Sequence, residues 1–398
     1  MFEIKGKYNT AFVFQTRESV EDSCLEQIET LMNQPFVENE DIRIMPDCHT
    51  GVGVCIGYTQ TLRNRRVCPS LVGVDIGCGV LVVNLGKNIG NFDVLDMVIR
   101  ENIPSGNNIH NRPTTEMNFD EFRCSVSNKD RILRSMGTLG GGNHFIEVDT
   151  DGVNYYLVIH TGSRNLGVQV ANFHQDLAYK LMSKPADVSR VIADYKARGL
   201  EKELSKKLQE LKAEAVKPSK EYSFLEGEHF DDYISDMKLC QKYAHDNREA
   251  IATVILNRWL GKTLNDFEHF ETIHNYIDTE NMLIRKGAVA AASGTELIIP
   301  INMAEGSLIC EGKDFSNMNC SAPHGAGRLM SRAEAKKAVS LEEFKDVMSG
   351  IYSTCVSSAT LDESPMAYKK LKDILPHIES TVKVKKIIKP VYNFKAAE

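Results

Sequence analysis

Three glycine-rich strings, set far apart, constrain this chain most: MPDCHTGVGVCIG followed by VGVDIGCGV, then LGGGNHFIEV from Leu139, then HGAGR from His324. Each adjoins an apolar, strand-like run, and glycines there permit tight turns and close backbone approach. Strings so distant make one pocket only if a single body folds them together. The expectation is therefore an α+β fold: one large domain over 1–398, with a mixed β core and Gly-rich loops converging on one site. A helical insertion is expected at about 186–258, where ADVSRVIADYKARGLEKELSKKLQELKAEAVK and DDYISDMKLCQKYAHDNREAIATVILNRWL repeat apolar positions at helical spacing.

Other segments read as ordinary elements. IKGKYNTAFVF suggests short strands, and the stretch from Glu18 to Gln34 places Val20, Cys24, Leu25, Ile28, Leu31 and Met32 on one helical face. A strand and turn, YYLVIHTGSRNLG, leads into a helix from Leu166 to Met182, and the chain closes with short helices and VKVKKIIKPVYNFK. Hydrophobic residues at 42% and charged residues at 25% are globular proportions. No apolar run reaches the length of a bilayer span, and the start lacks a leader pattern, so a cytoplasmic protein without membrane contact is expected. Lys and Arg total 47 against 54 Asp and Glu, a net charge of -7, so an anionic partner must be held locally. The 10 cysteines form no C-x-x-C pair and read as reduced thiols.

Chemistry concentrates in the glycine-rich strings. Five of the 11 histidines, His49, His144, His160, His274 and His324, lie at predicted strand ends and not on helix faces. Asp75 and Cys78, three apart across a glycine turn, can point into one cavity, where a thiolate bridges two ions and imidazoles complete their shells. The plainer alternative is a buried cysteine with a capping aspartate. Strand periodicity puts Asn143, Phe145 and Glu147 on one face and His144 on the other, so that one strand serves two sites. A Glu147 carboxylate suits the N1 and N2 hydrogens of guanine, and Gly140, Gly141 and Gly142 let a phosphate approach the backbone; a plain turn before a core strand is the alternative. HTGSRNLG couples His160 to Arg164, a bidentate phosphate donor near a helix start, or else is a helix-capping turn with a surface arginine. In HGAGR, the imidazole of His324 is a competent nucleophile towards phosphorus beside Arg328, unless the string is only a surface turn.

Together with IHTGSRNLG, HN with the following RKGA, and the terminal AYKKL through KPV, these strings resemble the RtcB family of RNA ligases, in order over nearly the whole chain. The resemblance implies joining of an RNA 3'-phosphate or 2',3'-cyclic phosphate to a 5'-hydroxyl, using GTP and manganese, in RNA repair or tRNA splicing. It implies that Asp75, Cys78, His144, His160 and His274 hold two manganese ions with Cys78 bridging, and that His324 takes GMP. It further implies that Asn143 and Arg164 hold phosphate and that Arg328 sits by the guanylylated histidine. Phe145, Glu147, Ser307 and Lys395 would contact the guanosine, with Tyr368 near the base, and some family members use an archease-type helper protein.

This chain departs from the family pattern at a few points. INMAEG stands where a Gly-Ser-Met-Gly turn is usual, with Asn302 in place of a serine at the nucleotide. Lys395 is followed by AAE instead of a terminal glycine, Thr50 replaces a common proline or leucine, and Val289 a common Thr or Ser. A divergent branch specialised for RNA repair is expected. The rival readings are a manganese-dependent phosphodiesterase that opens cyclic phosphates without ligating, an RNA-end binding protein without activity, and a purely structural protein.

Overall fold

In the computed structural model, which describes residues 1–87, 89–183, 188–200, 203–208 and 218–396, the apolar run GVLVVNLG forms the strand Gly79–Gly86. Its residues are apolar on both faces because the strand separates two cores. Leu81, Val83 and Leu85 pack towards Ile251 and Ile255 of a long helix, while Val80 and Val82 pack towards Ile298, Ile309 and Ile388. Alternation with period two assigns successive side chains to opposite cores, and burial on both sides removes the polar face.

This strand lies in a seven-stranded antiparallel sheet. Its order is Glu296–Asn302, Gly306–Gly312, Val382–Lys395, Phe145–Thr150, Tyr155–Thr161, Gly79–Gly86, His269–Ile273. The long strand Val382–Lys395 pairs through its first half with Gly306–Gly312 and through its second half with Phe145–Thr150. That pairing sets Lys395 opposite Phe145, Phe145 opposite His160, and His160 opposite Val80. One transverse row of the sheet thus collects residues from the end, the middle and the first quarter of the chain.

A second sheet of six strands runs Phe2–Lys5, Thr10–Val13, Ile42–His49, Ile56–Thr61, Leu283–Lys286, Asn275–Asp278. Only the pairing of Thr10–Val13 with Ile42–His49 is parallel, so the β core is mixed, as expected. The helix Asp22–Met32 buries Cys24, Ile28, Leu31 and Met32, the i, i+4, i+7, i+8 stripe read from the sequence. Each such fully buried aliphatic side chain contributes about 1.5–3 kcal/mol. A ribbon of Ala288–Ala290 with Ser321–Pro323 joins the two sheets. It carries His324 back beside His274, whose carbonyl accepts the Gly287 amide at 2.7 Å.

Val188–Ala197 and Glu228–Ile255 are helical, as expected of the insertion; residues 186–187, 201–202 and 209–217 of that expected stretch lie outside the described residues. The second helix is no mere excursion from the core. Asn247 accepts the amides of Gly137 (2.7 Å) and Thr138 (3.1 Å), and the fully buried Arg248 donates Nη1 to the carbonyls of Gly77 (2.9 Å) and Thr161 (2.6 Å). This helix braces, from behind, the loops that carry the site. No helix among the described residues is long and apolar enough to cross a membrane.

Candidate metal and nucleotide site

The glycine-rich turn VDIGCG brings Asp75 and Cys78 to the start of Gly79–Gly86, where His144, His160 and His274 arrive from the ends of three other strands of the same sheet. Two donor triads result, Asp75 with Cys78 and His144, and Cys78 with His160 and His274, each with its ligating atoms within 4.8 Å of one another. Cys78 belongs to both: its Sγ lies 3.5 Å from His144 Nε2 and 3.3 Å from His160 Nε2. His160 Nε2 is 3.3 Å from His274 Nε2, and His144 Nε2 is 3.0 Å from Asp75 Oδ2.

Carbonyl groups behind the rings fix which nitrogen faces inward. His144 Nδ1 donates to Leu139 O at 2.9 Å and His160 Nδ1 to Asn143 O at 3.2 Å, leaving both Nε2 atoms towards Cys78. Burial pushes His160 and His274 well below the ordinary imidazole range, so they are neutral donors. Burial opposes ionisation of Asp75, but the hydrogen bond and charge of His144 outweigh it and hold the carboxyl well below the usual range. Burial also raises the Cys78 thiol, as does Asp75, so a thiolate there requires a cation. Neutral imidazoles with fixed orientation, a carboxylate and a shared sulfur are a donor set suited to divalent transition ions. Gly162 is needed for the approach, because a Cβ there would lie 2.2 Å from Asp75 Oδ1.

A cavity of about 1110 Å³ opens from this cluster. Asn143, Phe145 and Glu147 line it while His144 points to Asp75 and Cys78 behind, the division of one strand between two sites expected from alternation. Burial pushes Glu147 up to about 7 against the opposing pull of Lys395, and Asn393 donates to its carboxylate. His324 lines the same cavity with its ring centroid 5.1 Å from that of His274. Its Nδ1 donates to Asp47 Oδ2 at 2.8 Å, which leaves Nε2 as the free nitrogen. Gly327, at φ +76°, lets the HGAGR loop close on Asp47, whose carbonyl oxygen a Cβ would meet at 2.6 Å.

Arg328 also lines the cavity, its guanidinium 4.8 Å from the Tyr368 ring centroid. Glu363 ties this wall together. It accepts from Tyr368 Oη at 2.6 Å, from Arg328 Nη1 at 3.3 Å and from Lys395 Nζ, and pairs with Arg332 at 2.8 Å. The ammonium of Lys395 sits 5.8 Å from the centroid of the Phe145 ring, the cross-strand neighbour set by sheet register.

Arg164 faces a second cavity of about 240 Å³, shared with Arg131 and reached from the other side of Asp75. Asn302 reaches the large cavity, but its Oδ1 accepts the amides of Ala304 (3.0 Å) and Glu305 (2.9 Å) and so is engaged in its own turn. Ser307 is buried, with its hydroxyl unpartnered, next to Gly306 on the cavity wall. A further cluster, Cys124, His174 and Asp236, lies outside the cavity. There Asp236 accepts the amides of Arg123 and Cys124 and His174 Nε2, which accounts for it as a loop anchor.

Sequence reasoning missed Asp47, Glu363, Arg248 and Lys286. Asp47 stands in the same string as His49 and was open to notice. Lys286, of RKGA, lines the cavity with burial lowering its amine to about 8 while it donates to Ser70 O at 2.8 Å. Glu363 and Arg248 carry no local signal.

Comparison with known proteins finds the family model of the tRNA-splicing ligase RtcB matching residues 27–132 and 111–396. The RNA-splicing ligase RtcB1 of Escherichia coli is 29% identical, over 92% of this chain and 92% of its own. The RNA-splicing ligase RtcB of Escherichia coli K12 is 28% identical over the same shares. The tRNA-splicing ligase RtcB of Methanococcus maripaludis is 26% identical, over 90% of this chain and 88% of its own.

Proposed function

The chain belongs to the RtcB family, and from that membership we propose that its pocket joins RNA 3'-phosphate or 2',3'-cyclic phosphate ends to 5'-hydroxyl ends with GTP, through a guanylylated His324. That it is an RNA ligase follows from the family. The observation that carries the finer reading is His324, held by the buried Asp47 with Nε2 free and packed against a donor of the two-triad cluster.

Asp75, Cys78 and His144 would hold one manganese ion and Cys78, His160 and His274 a second; bound there, the ions would supply positive charge to the phosphates and polarise the attacking oxygen. His324 Nε2 attacks the α-phosphorus of GTP, forming a P–N bond as the P–O bond to pyrophosphate breaks. Asp47 holds the tautomer that makes Nε2 the nucleophile and stabilises the charge that the ring acquires. An oxygen of the RNA 3'-phosphate then displaces His324 from the guanylyl phosphorus. The 5'-hydroxyl oxygen finally attacks the RNA phosphorus, and GMP leaves with the bonding electrons.

Glu147 and Lys395, with Phe145 and Tyr368, form the guanosine end of the pocket, and Asn143, whose side chain is exposed, is placed for a phosphate oxygen. The lysines of the last strand do not carry the RNA in this reading. Lys385 pairs with Glu311 and Lys386 with Asp151, which supports a solvated role. An RNA substrate and ten unpaired thiols fit a reducing cytoplasm, with RNA repair or tRNA splicing as the task.

The test is transfer of GMP from GTP labelled at the α-phosphate, in the presence of manganese. The wild type is expected to carry acid-labile label, and His324→Ala and Cys78→Ala none. An unlabelled wild type with manganese bound would leave only the opening of cyclic phosphates.

A further inference from the structure

One of the five strand-end histidines has no part in the reaction so far. His49 ends the strand Ile42–His49 and lines the large cavity together with His324. Its Nδ1 lies 3.0 Å from the carbonyl oxygen of Asp47, the residue whose carboxylate holds His324 Nδ1 at 2.8 Å. Two imidazoles from distant strings therefore hang on one buried aspartate, one by its side chain and one by its backbone. In both, the nitrogen that faces the protein is Nδ1 and the nitrogen left for the cavity is Nε2.

The chemistry proposed above needs a proton acceptor and supplies none from the protein. Pyrophosphate and the His324 imidazole are good leaving groups, so the first two transfers need no acid of high strength. The attacking 5'-hydroxyl is different, because its proton must leave as the new P–O bond forms. His324 serves the first two transfers as nucleophile and leaving group. A second imidazole on the same cavity wall is free to take that proton.

We propose that His49 is the general base of the sealing step: its Nε2 takes the proton of the RNA 5'-hydroxyl as that oxygen bonds to the activated 3'-phosphorus and the bond to GMP breaks. The proposal rests on the ligase reading of the same pocket. The surroundings suit a neutral base. Burial lowers the basicity of His49, the neighbouring His324 and Lys369 lower it further, and the Asp47 carbonyl and charge oppose them. The ring is thus unprotonated near neutral pH, and the amide-like anchor at Nδ1 fixes the tautomer whose lone pair is on Nε2.

The experiment separates the steps. Wild type, His49→Ala and His49→Gln are compared in two single-turnover assays with manganese: GMP transfer from labelled GTP to protein, and sealing of a 5'-hydroxyl RNA to a pre-activated RNA that ends in a 3'-guanylylated phosphate. Glutamine keeps a donor for the Asp47 carbonyl but has no basic nitrogen, so it controls for a collapsed loop. Both variants are expected to take GMP within about 5-fold of wild type and to seal about 100-fold or more slower, since a positioned base contributes about 10²–10⁴. The acidic limb of the wild-type pH profile for sealing should vanish in both, and added imidazole should restore part of the rate to His49→Ala. Sealing at the wild-type rate would overturn the assignment, as would a pH limb that persists. Equal losses in both assays would overturn it too, by reducing His49 to a support for Asp47 and His324. A wild type that neither takes GMP nor seals pre-activated RNA overturns the ligase chemistry beneath it, an outcome distinct from failure of His49 alone.

Discussion

Asp47→Ala isolates the partnership at the centre of the site. The carboxylate is fully buried, donates nothing, and among the described residues has one side-chain partner, His324 Nδ1 at 2.8 Å, with its Oδ1 unpartnered. A hydrogen bond to a charged group is worth about 1.5–3 kcal/mol. In the proposed transfer the ring gains positive charge as His324 attacks, which makes that interaction strongest in the transition state, so its loss falls on the rate of GMP transfer. At about 1.4 kcal/mol per tenfold, the expected slowing is about 10- to 150-fold. Asp47→Asn keeps an acceptor without the charge and should fall between wild type and alanine. Stability should behave differently from rate, because a buried carboxylate with an unpartnered oxygen is costly to the fold. The asparagine variant should melt no lower than wild type while transferring GMP more slowly. Single-turnover transfer measured beside thermal unfolding decides the matter. A rate within threefold of wild type, or a rate loss that merely tracks a loss of melting temperature, would refute the reasoning.

Cys78→Ala removes the sulfur common to both triads, so bound divalent ions, counted by mass spectrometry of the metal, should fall from two per chain to one or none; two retained ions would contradict a shared ligand. In the proposed pocket the guanine contact of Glu147 requires its ionised form, and burial places its carboxyl at about 7, so GTP affinity measured by calorimetry should fall as pH drops through 7, with proton release on binding; a flat profile from pH 6 to 8 argues against this contact. The same raised carboxyl favours the folded state below its ordinary value of 4.5, an advantage lost as pH rises through 7. Arg248→Met leaves Glu271 to His245, 3.1 Å away, and strands the carbonyls of Gly77 and Thr161, and should cost about 1–3 kcal/mol in denaturant unfolding; an unchanged midpoint would show that the long helix does not brace the loops of the site.

Local pattern carried a good deal of this protein. Alternation along Asn143–Glu147 was enough to separate the cavity face from His144, because side chains on a strand can only point to one side or the other. Helical spacing located the apolar stripe of Asp22–Met32, and glycine where backbones must approach marked the loops that meet at Asp75 and Asp47. What the chain could not disclose locally is which buried charges face each other once the sheets are packed. Asp47 and His324 are 277 positions apart and meet because the ribbon Ala288–Ala290 with Ser321–Pro323 returns the chain to the end of another sheet's strand. Glu363 gathers Arg328, Tyr368 and Lys395 into one wall although its own neighbours look like an unremarkable turn. Arg248 reads as a surface arginine on a helix until that helix is found buried beneath the metal loops. Periodicity is written residue by residue, whereas strand register and the pairing of buried charges are properties of surfaces that exist only after the whole chain has closed on itself.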